Sequence, residues 1–170
     1  MNEILLVDGY NVIGAWEESQ QKNWPIDESR DRLAAMLEEY AALHKQYVIL
    51  VFDGYKSDRL STSYEKRRHM EIVFTKKEET ADSYIEKAVY NSPKYCKVYV
   101  ATSDALQQYS VLGDGGYRMS SRELLRELTA MKEKGRHKIP LQGRNKSSVA
   151  EALPKDLYDK LDHFIKNKEK

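Results

Sequence analysis

The chain has a single cysteine, Cys96, so it can form no internal disulfide and no cysteine-based zinc site, a usage that suits a reducing cytoplasm. Long apolar runs are also missing. The longest, Ile4 to Val7 and Tyr47 to Phe52, fall well below the roughly 18–20 residues that a membrane helix needs, so no bilayer span is expected. The N-terminus reaches Asp8 without a basic leader, and no cleaved secretory signal is expected either. With 8 Gly and 4 Pro among 170 residues, collagen-like and low-complexity chains are excluded. Neither sign of charge dominates, because 28 Lys and Arg stand against 27 Asp and Glu. What is present, 41% hydrophobic and 32% charged residues, fits a single globular domain over 1–170.

Ile4-Leu5-Leu6-Val7 reads as a strand buried on both faces that ends at Asp8-Gly9. Leu33, Leu37, Tyr40, Ala41 and His44 then recur at helical spacing, with Asp27, Glu28 and Asp31 near the end where the helix dipole favours anions. Tyr47 to Phe52 repeats the first strand and stops at Asp53-Gly54. Ile72-Val73-Phe74 is a shorter strand, after which Thr80 caps a helix carrying Ala81, Tyr84, Ile85, Ala88 and Val89 on one face. Val98 to Ala101 is a fourth strand, Thr102-Ser103-Asp104 a turn or cap, Ala105 to Leu112 a short helix ended by Gly113, and Tyr117 to Met119 a short last strand. Ser120 and Glu123 have the spacing of a capping box ahead of Leu124, Leu125 and Leu128. A basic, linker-like loop is expected at about 132–148 and a C-terminal helix at about 154–167. Strands alternating with helices predict a three-layer α/β/α sandwich with a mostly parallel sheet, because parallel neighbours need crossover connections.

The acids fall in a pattern. Asp8 follows the first strand, Asp53 the second and Asp104 the fourth, while Asp82 opens the helix after the third. In an open parallel sheet the carboxyl ends of the strands share one edge, where ligands bind at the switch in strand order. Carboxylates gathered there repel one another unless a cation holds them, and an oxygen-only set suits Mg²⁺ or Mn²⁺ rather than zinc. Such an ion activates water and offsets charge in phosphodiester hydrolysis. Taken singly, each acid equally serves a turn, a cap or a helix dipole. Asn11, three residues after Asp8, is within reach of the same edge to donate to a phosphate oxygen or orient a ligand water, and is otherwise a turn residue. Thr80, Thr102 and Ser103 fit capping roles, and Gln107 faces this edge only if its helix begins at Asp104. The four histidines are scattered, and none pairs with another at ligand spacing.

Basic residues cluster twice. Lys132 to Ser148 holds six Lys or Arg against Glu133, and the stretch from Lys56 to Lys77 holds seven against three acids. Lys66, Arg67 and Arg68 in one stretch and Arg136, Lys138, Arg144 and Lys146 in the other are the candidate contacts to nucleic-acid phosphates, with solvated surface as the alternative. Tyr55, Tyr64 and Tyr117 offer stacking faces for bases.

Asp8-Gly9-Tyr10-Asn11, Phe52-Asp53-Gly54, Thr80-Ala81-Asp82 and Thr102-Ser103-Asp104 together resemble the NYN-domain nucleases, relatives of the PIN-domain ribonucleases, and most of all their bacterial YacP-like branch. The resemblance covers nearly the whole chain. It implies a PIN-like fold and divalent-metal-dependent endonucleolytic cleavage of single-stranded RNA, with mRNA as substrate and the ribosome as partner in the cytoplasm. By matching position it implies Asp8, Asn11, Asp82 and Asp104 as site residues, with Asp8, Asp82 and Asp104 toward the metal. Asp53 stands beside this set without its direct ligation being fixed. The alternative is a non-catalytic RNA- or ribosome-binding adaptor that keeps the fold. Against it, clustered acids weaken an RNA-binding face unless a metal inverts their charge. The sequence contains no P-loop motif and no dinucleotide-binding glycine fingerprint. An aspartate-nucleophile phosphatase would want a second acid at position 10, which is Tyr. Oligomeric state and RNA sequence preference have no signature in the chain.

Overall fold

A computed structural model describes residues 3–54 and 57–137. Its centre is a six-stranded sheet in the order β3-β4-β2-β1-β5-β6. The strands are β1 (Glu3–Asp8), β2 (Tyr47–Phe52), β3 (Ser63–Lys66), β4 (Met70–Phe74), β5 (Lys97–Ala101) and β6 (Tyr117–Met119). All pairings are parallel except that of β3 with β4. The helices are α1 (Gly9–Ala15), α2 (Glu17–Gln21), α3 (Ile26–His44), α4 (Ala81–Asn91), α5 (Ala105–Gly113) and α6 (Ser121–His137).

Period-two alternation sends successive strand residues to opposite faces. Leu5 and Val7 of β1, with Val48, Leu50 and Phe52 of β2, pack against Leu33 and Leu37 of α3 and Leu124 and Leu128 of α6. Ile4, Leu6, Ile49 and Val51 pack on the other face, against Tyr84, Ile85 and Val89 of α4 and Val111 of α5. Both faces are therefore covered, which is why β1 and β2 read as unbroken apolar runs. The three-layer α/β/α arrangement with a mostly parallel sheet is as expected.

Three segments differ from the sequence reading. The connection between β1 and α3 folds into α1 and α2. The polar stretch after β2 contributes an edge strand, β3, which forms an antiparallel hairpin with β4. The basic stretch from Lys132 begins as helix rather than loop, because α6 continues to His137. Lys132, Glu133, Lys134 and Arg136 are good helix formers, and one glycine, Gly135, costs only about 1 kcal/mol in a helix interior. The remainder of the expected basic loop and the helix expected at 154–167 lie outside the described residues.

The chain leaves β1 for β2 on one side and later returns to place β5 on the other. The switch in strand order thus falls at β1, whose last residue is Asp8, and the parallel register sets Asp8 opposite Val51 with Val7 opposite Ala101. Three loops carrying acids leave the sheet from this one edge.

Candidate functional site

Asp8 ends β1 and stands at the N-cap of α1, only 8% exposed. Burial raises its carboxyl pKa from 3.8 to about 7, and the Asp82 carboxyl facing it adds to the rise, with a smaller contribution from Asp53. The backbone amide of Asn11 pulls weakly the other way. Asp82, in the first turn of α4, is also raised, by desolvation first and then by the charge of Asp104. Asp8 and Asp82 lie within hydrogen-bonding reach of one another, a distance at which two carboxylates share a proton or a cation. The four acids lie at one edge and act on one another in pairs: Asp8 with Asp82, Asp53 on both, and Asp104 on Asp82.

The outer two acids also hold the loops. Asp53 accepts the Ala81 N–H at 3.3 Å and so ties the end of β2 to the start of α4. Asp104 caps α5 through Oδ1, which accepts the N–H groups of Leu106 and Gln107 at 2.9 and 3.1 Å. Thr80 caps α4 by accepting the Ser83 N–H at 3.1 Å, as the sequence suggested. Ser120 and Glu123 close the capping box, with the Ser120 N–H donating to Glu123 at 2.6 Å and the Glu123 N–H to Ser120 Oγ at 3.1 Å.

Two glycines are needed where backbone crowds the site. A Cβ on Gly54 would lie 1.7 Å from the Thr75 carbonyl oxygen, and one on Gly9 would lie 2.4 Å from the Phe52 ring. Gly54 also donates its N–H to Thr75 Oγ1 at 2.7 Å, which seats the Asp53 loop against the end of β4.

Asn11 takes a role the sequence did not specify. Its Oδ1 accepts the Ser103 N–H at 2.8 Å and the Ser121 hydroxyl at 2.6 Å, joining α1, the β5–α5 loop and the start of α6. Thr102 Oγ1 accepts the Asp104 N–H at 3.1 Å and Ser103 Oγ accepts the Ser121 N–H at 3.2 Å, which complete the frame. Since α5 does begin directly after Asp104, Gln107 falls in its first turn behind the acids. Its amide is buried, and neither end of it has a partner among the described residues.

The basic candidates among the described residues are not gathered here. Lys66, Arg67 and Arg68 lie at the β3–β4 turn, next to the start of β4 and therefore at the opposite edge of the sheet from the acids. Arg67 is engaged there by Glu65 at 3.0 Å and Glu38 at 3.6 Å. Lys138, Arg144 and Lys146 lie outside the described residues, as does the side chain of Arg136, whose backbone belongs to α6. Tyr55 is likewise outside, and Tyr117 stacks on Tyr99 with 5.1 Å between ring centroids. The cations at the acid-bearing edge include others, Arg30 on α3, Arg59 in the loop after β2, and Lys76 and Lys77 just after β4. No short sequence pattern marked Arg30.

Among the described residues no three Asp, Glu, His or Cys side chains already stand as a set able to hold a metal ion. The donor chemistry nevertheless fits a hard cation. Mg²⁺ is commonly held by one or two carboxylates, with waters and substrate phosphates completing its shell, and the Asp8 and Asp82 pair supplies that much.

Comparison with known proteins agrees with this architecture. The family model described as YacP-like NYN domain matches residues 5–166. An uncharacterized protein YacP of Bacillus subtilis (strain 168) is 40% identical over 134 residues, 78% of this chain and 78% of that protein. Two crystal structures of Rae1 (YacP) from Bacillus subtilis, one of a point variant, are 38% identical to the chain, with TM-scores of 0.66 and 0.63. Each covers 79% of this chain, and the shares of their own chains covered are 80% and 78%. No helix among the described residues is long and apolar enough to cross a membrane. With a family model spanning nearly its whole length and solved relatives sharing its sheet and helices, the chain belongs to the YacP-like NYN domain family.

Proposed function

We propose that the chain is a metal-dependent endoribonuclease that hydrolyses phosphodiester bonds in single-stranded RNA. The observation that carries this reading is the buried Asp8 carboxyl set against the half-buried Asp82 carboxyl at the carboxyl edge of a parallel sheet. A structural role does not call for it, because two facing carboxylates without a cation cost stability. Family membership supports the same reading.

Asp8 and Asp82 would hold Mg²⁺ or Mn²⁺, with Asp104, and Asp53 beside it, on the rim. When bound, such an ion lowers the pKa of a coordinated water and offsets charge on the phosphate. A bound cation would favour the ionised form of Asp8, whose pKa burial raises in the metal-free protein, and would offset the charge of Asp104 and Asp53 on Asp82. Asn11 fixes the β5–α5 loop and so the position of Asp104. Asp53, anchored to α4, keeps Asp82 at a set distance from the end of β2.

Cleavage of a labelled single-stranded RNA should disappear in excess EDTA and return with Mg²⁺ or Mn²⁺. Full activity in EDTA would overturn the metal dependence, and binding without cleavage under every metal condition would point to an RNA-binding adaptor. Action on mRNA engaged with the ribosome rests on the family resemblance, and the same assay with and without ribosomes tests it.

A further inference from the structure

Arg30 sits one turn into α3, near the helix end that meets the acid-bearing edge, and is half-buried over aromatic rings. Its Cζ is 5.9 Å from the Phe52 centroid and 5.6 Å from that of Phe74, and its Nη1 donates to the Tyr10 hydroxyl at 3.2 Å. The rings form a continuous row, with 5.0 Å between Tyr10 and Phe52 and 5.3 Å between Phe52 and Phe74. Arg59 lies over Phe74 as well, 4.8 Å from its centroid, and donates to Ser63 Oγ at 3.0 Å. Every ring belongs to the edge already described. Tyr10 follows Asp8 by two residues, Phe52 precedes Asp53, and Phe74 ends β4.

Packing alone does not account for the pair. Elsewhere Arg32 lies 4.2 Å from the Trp24 centroid, but its charge is met by Glu28 at 2.7 Å. Arg30 and Arg59 share one ring, and among the described residues neither is paired with a carboxylate. Two cations held over one ring repel each other, and anions bound by them offset that repulsion. The planar guanidinium presents forked donors that match a phosphate, and the aromatic row holds the forks in place before a ligand arrives. Because the ring faces are already occupied by guanidinium groups, the free chemistry is for phosphate rather than for base stacking.

We propose that Arg30 and Arg59 form a clamp for RNA phosphates flanking the scissile one, on the Phe74 side of the carboxylate site. The clamp rests on the RNA-cleaving reading above. It gives the strand a path across the edge from the Asp8 and Asp82 pair toward β4, and it makes Tyr10 a positioning residue for Arg30.

The test is anisotropy of a fluorescein-labelled single-stranded RNA oligonucleotide bound to the full chain in EDTA, across a salt series, with single-turnover cleavage in Mn²⁺ measured in parallel. Arg30→Ala and Arg59→Ala should each weaken binding about tenfold, as loss of a charge-assisted contact does. Each should also lower the log–log salt slope by about 0.7 for the one phosphate released. Arg30→Lys should restore the slope, because the charge remains, but not the full affinity, because the fork does not. Lys94→Ala, an exposed cation ahead of β5 at the far edge, should change neither. Arg59 is exposed, so its variant folds whatever Arg30→Ala does. If the wild type binds and cleaves RNA while Arg59→Ala and Arg30→Lys keep its affinity and slope, the clamp is wrong and the nuclease reading stands. A wild type that neither binds nor cleaves RNA with Mg²⁺ or Mn²⁺ overturns both.

Discussion

Replacing Asp8 by Asn removes the buried member of a carboxyl pair while changing almost nothing else. Asn has the same shape and is as good at an N-cap, so the start of α1 is preserved. The folded metal-free protein raises the Asp8 pKa from 3.8 to about 7. Between those pH values the native state holds a proton that the unfolded chain has released, so wild-type stability falls as pH rises through this window and levels off above it. At about 1.4 kcal/mol per pH unit, the full effect is about 4 kcal/mol. Water entry and side-chain relaxation reduce such penalties, and we expect about 2–4 kcal/mol. Urea unfolding of both proteins in EDTA, from pH 4 to pH 8, reads the difference directly, since titrations common to both cancel. The curves should nearly coincide at pH 4, and Asp8→Asn should be the more stable above pH 7. Addition of Mn²⁺ should then raise the wild-type midpoint and leave that of the variant nearly unmoved, because only the former gains a ligand. A stability difference that does not change with pH would refute the raised pKa of a buried Asp8 at this site.

Asp104 separates a cap from a charge: Asp104→Asn should keep stability within about 0.5 kcal/mol yet lower cleavage more than tenfold, whereas Asp104→Ala should lose about 1 kcal/mol in addition. Thermal melts and single-turnover rates on both variants decide it, and equal activity of Asp104→Asn and wild type would make the residue a cap alone. Gly54→Ala should cost about 3 kcal/mol or more, since the new methyl meets the Thr75 carbonyl, and a loss below about 1 kcal/mol would show that the Asp53 loop moves freely. Asn11→Ala leaves the Ser103 N–H and the Ser121 hydroxyl without their shared acceptor, for an expected loss of about 1–3 kcal/mol by denaturant unfolding and a large fall in cleavage. Unchanged cleavage in that variant would mean that the frame does not position the acids.

The sheet and its acids were legible because the signals are local. β1 and β2 are apolar runs that end in Asp-Gly or just before it, Thr80 and the Ser120–Glu123 pair are caps read within four residues, and parallel order follows from alternation with helices. The short α1 escaped because Gly9, Val12, Ile13 and Gly14 give little helical propensity and packing against α3 and α6 decides its form, and α2 escaped because its five polar residues carry no apolar period. β3 escaped because an edge strand of four half-buried or exposed residues needs only β4 as a partner. The placement of Lys66, Arg67 and Arg68 was readable in principle, since residues just ahead of a parallel strand lie at its N-terminal edge. Arg30 was not, because its meaning arises only when α3, β2 and β4 bring it over Phe52 and Phe74.

The Asn11 junction also fixes an order of events during synthesis. Its oxygen waits for Ser103 and Ser121, which are 92 and 110 residues further along the chain. When translation has reached only the end of β4, Asp8 and Asp53 exist, but Asp82, the β5–α5 loop and the anchor of Asn11 do not. Chains fold largely from the N-terminus as they emerge, so the acid-bearing edge is the last part of this sheet to close. A ribosome making this protein therefore carries an incomplete carboxylate edge until most of the chain is out.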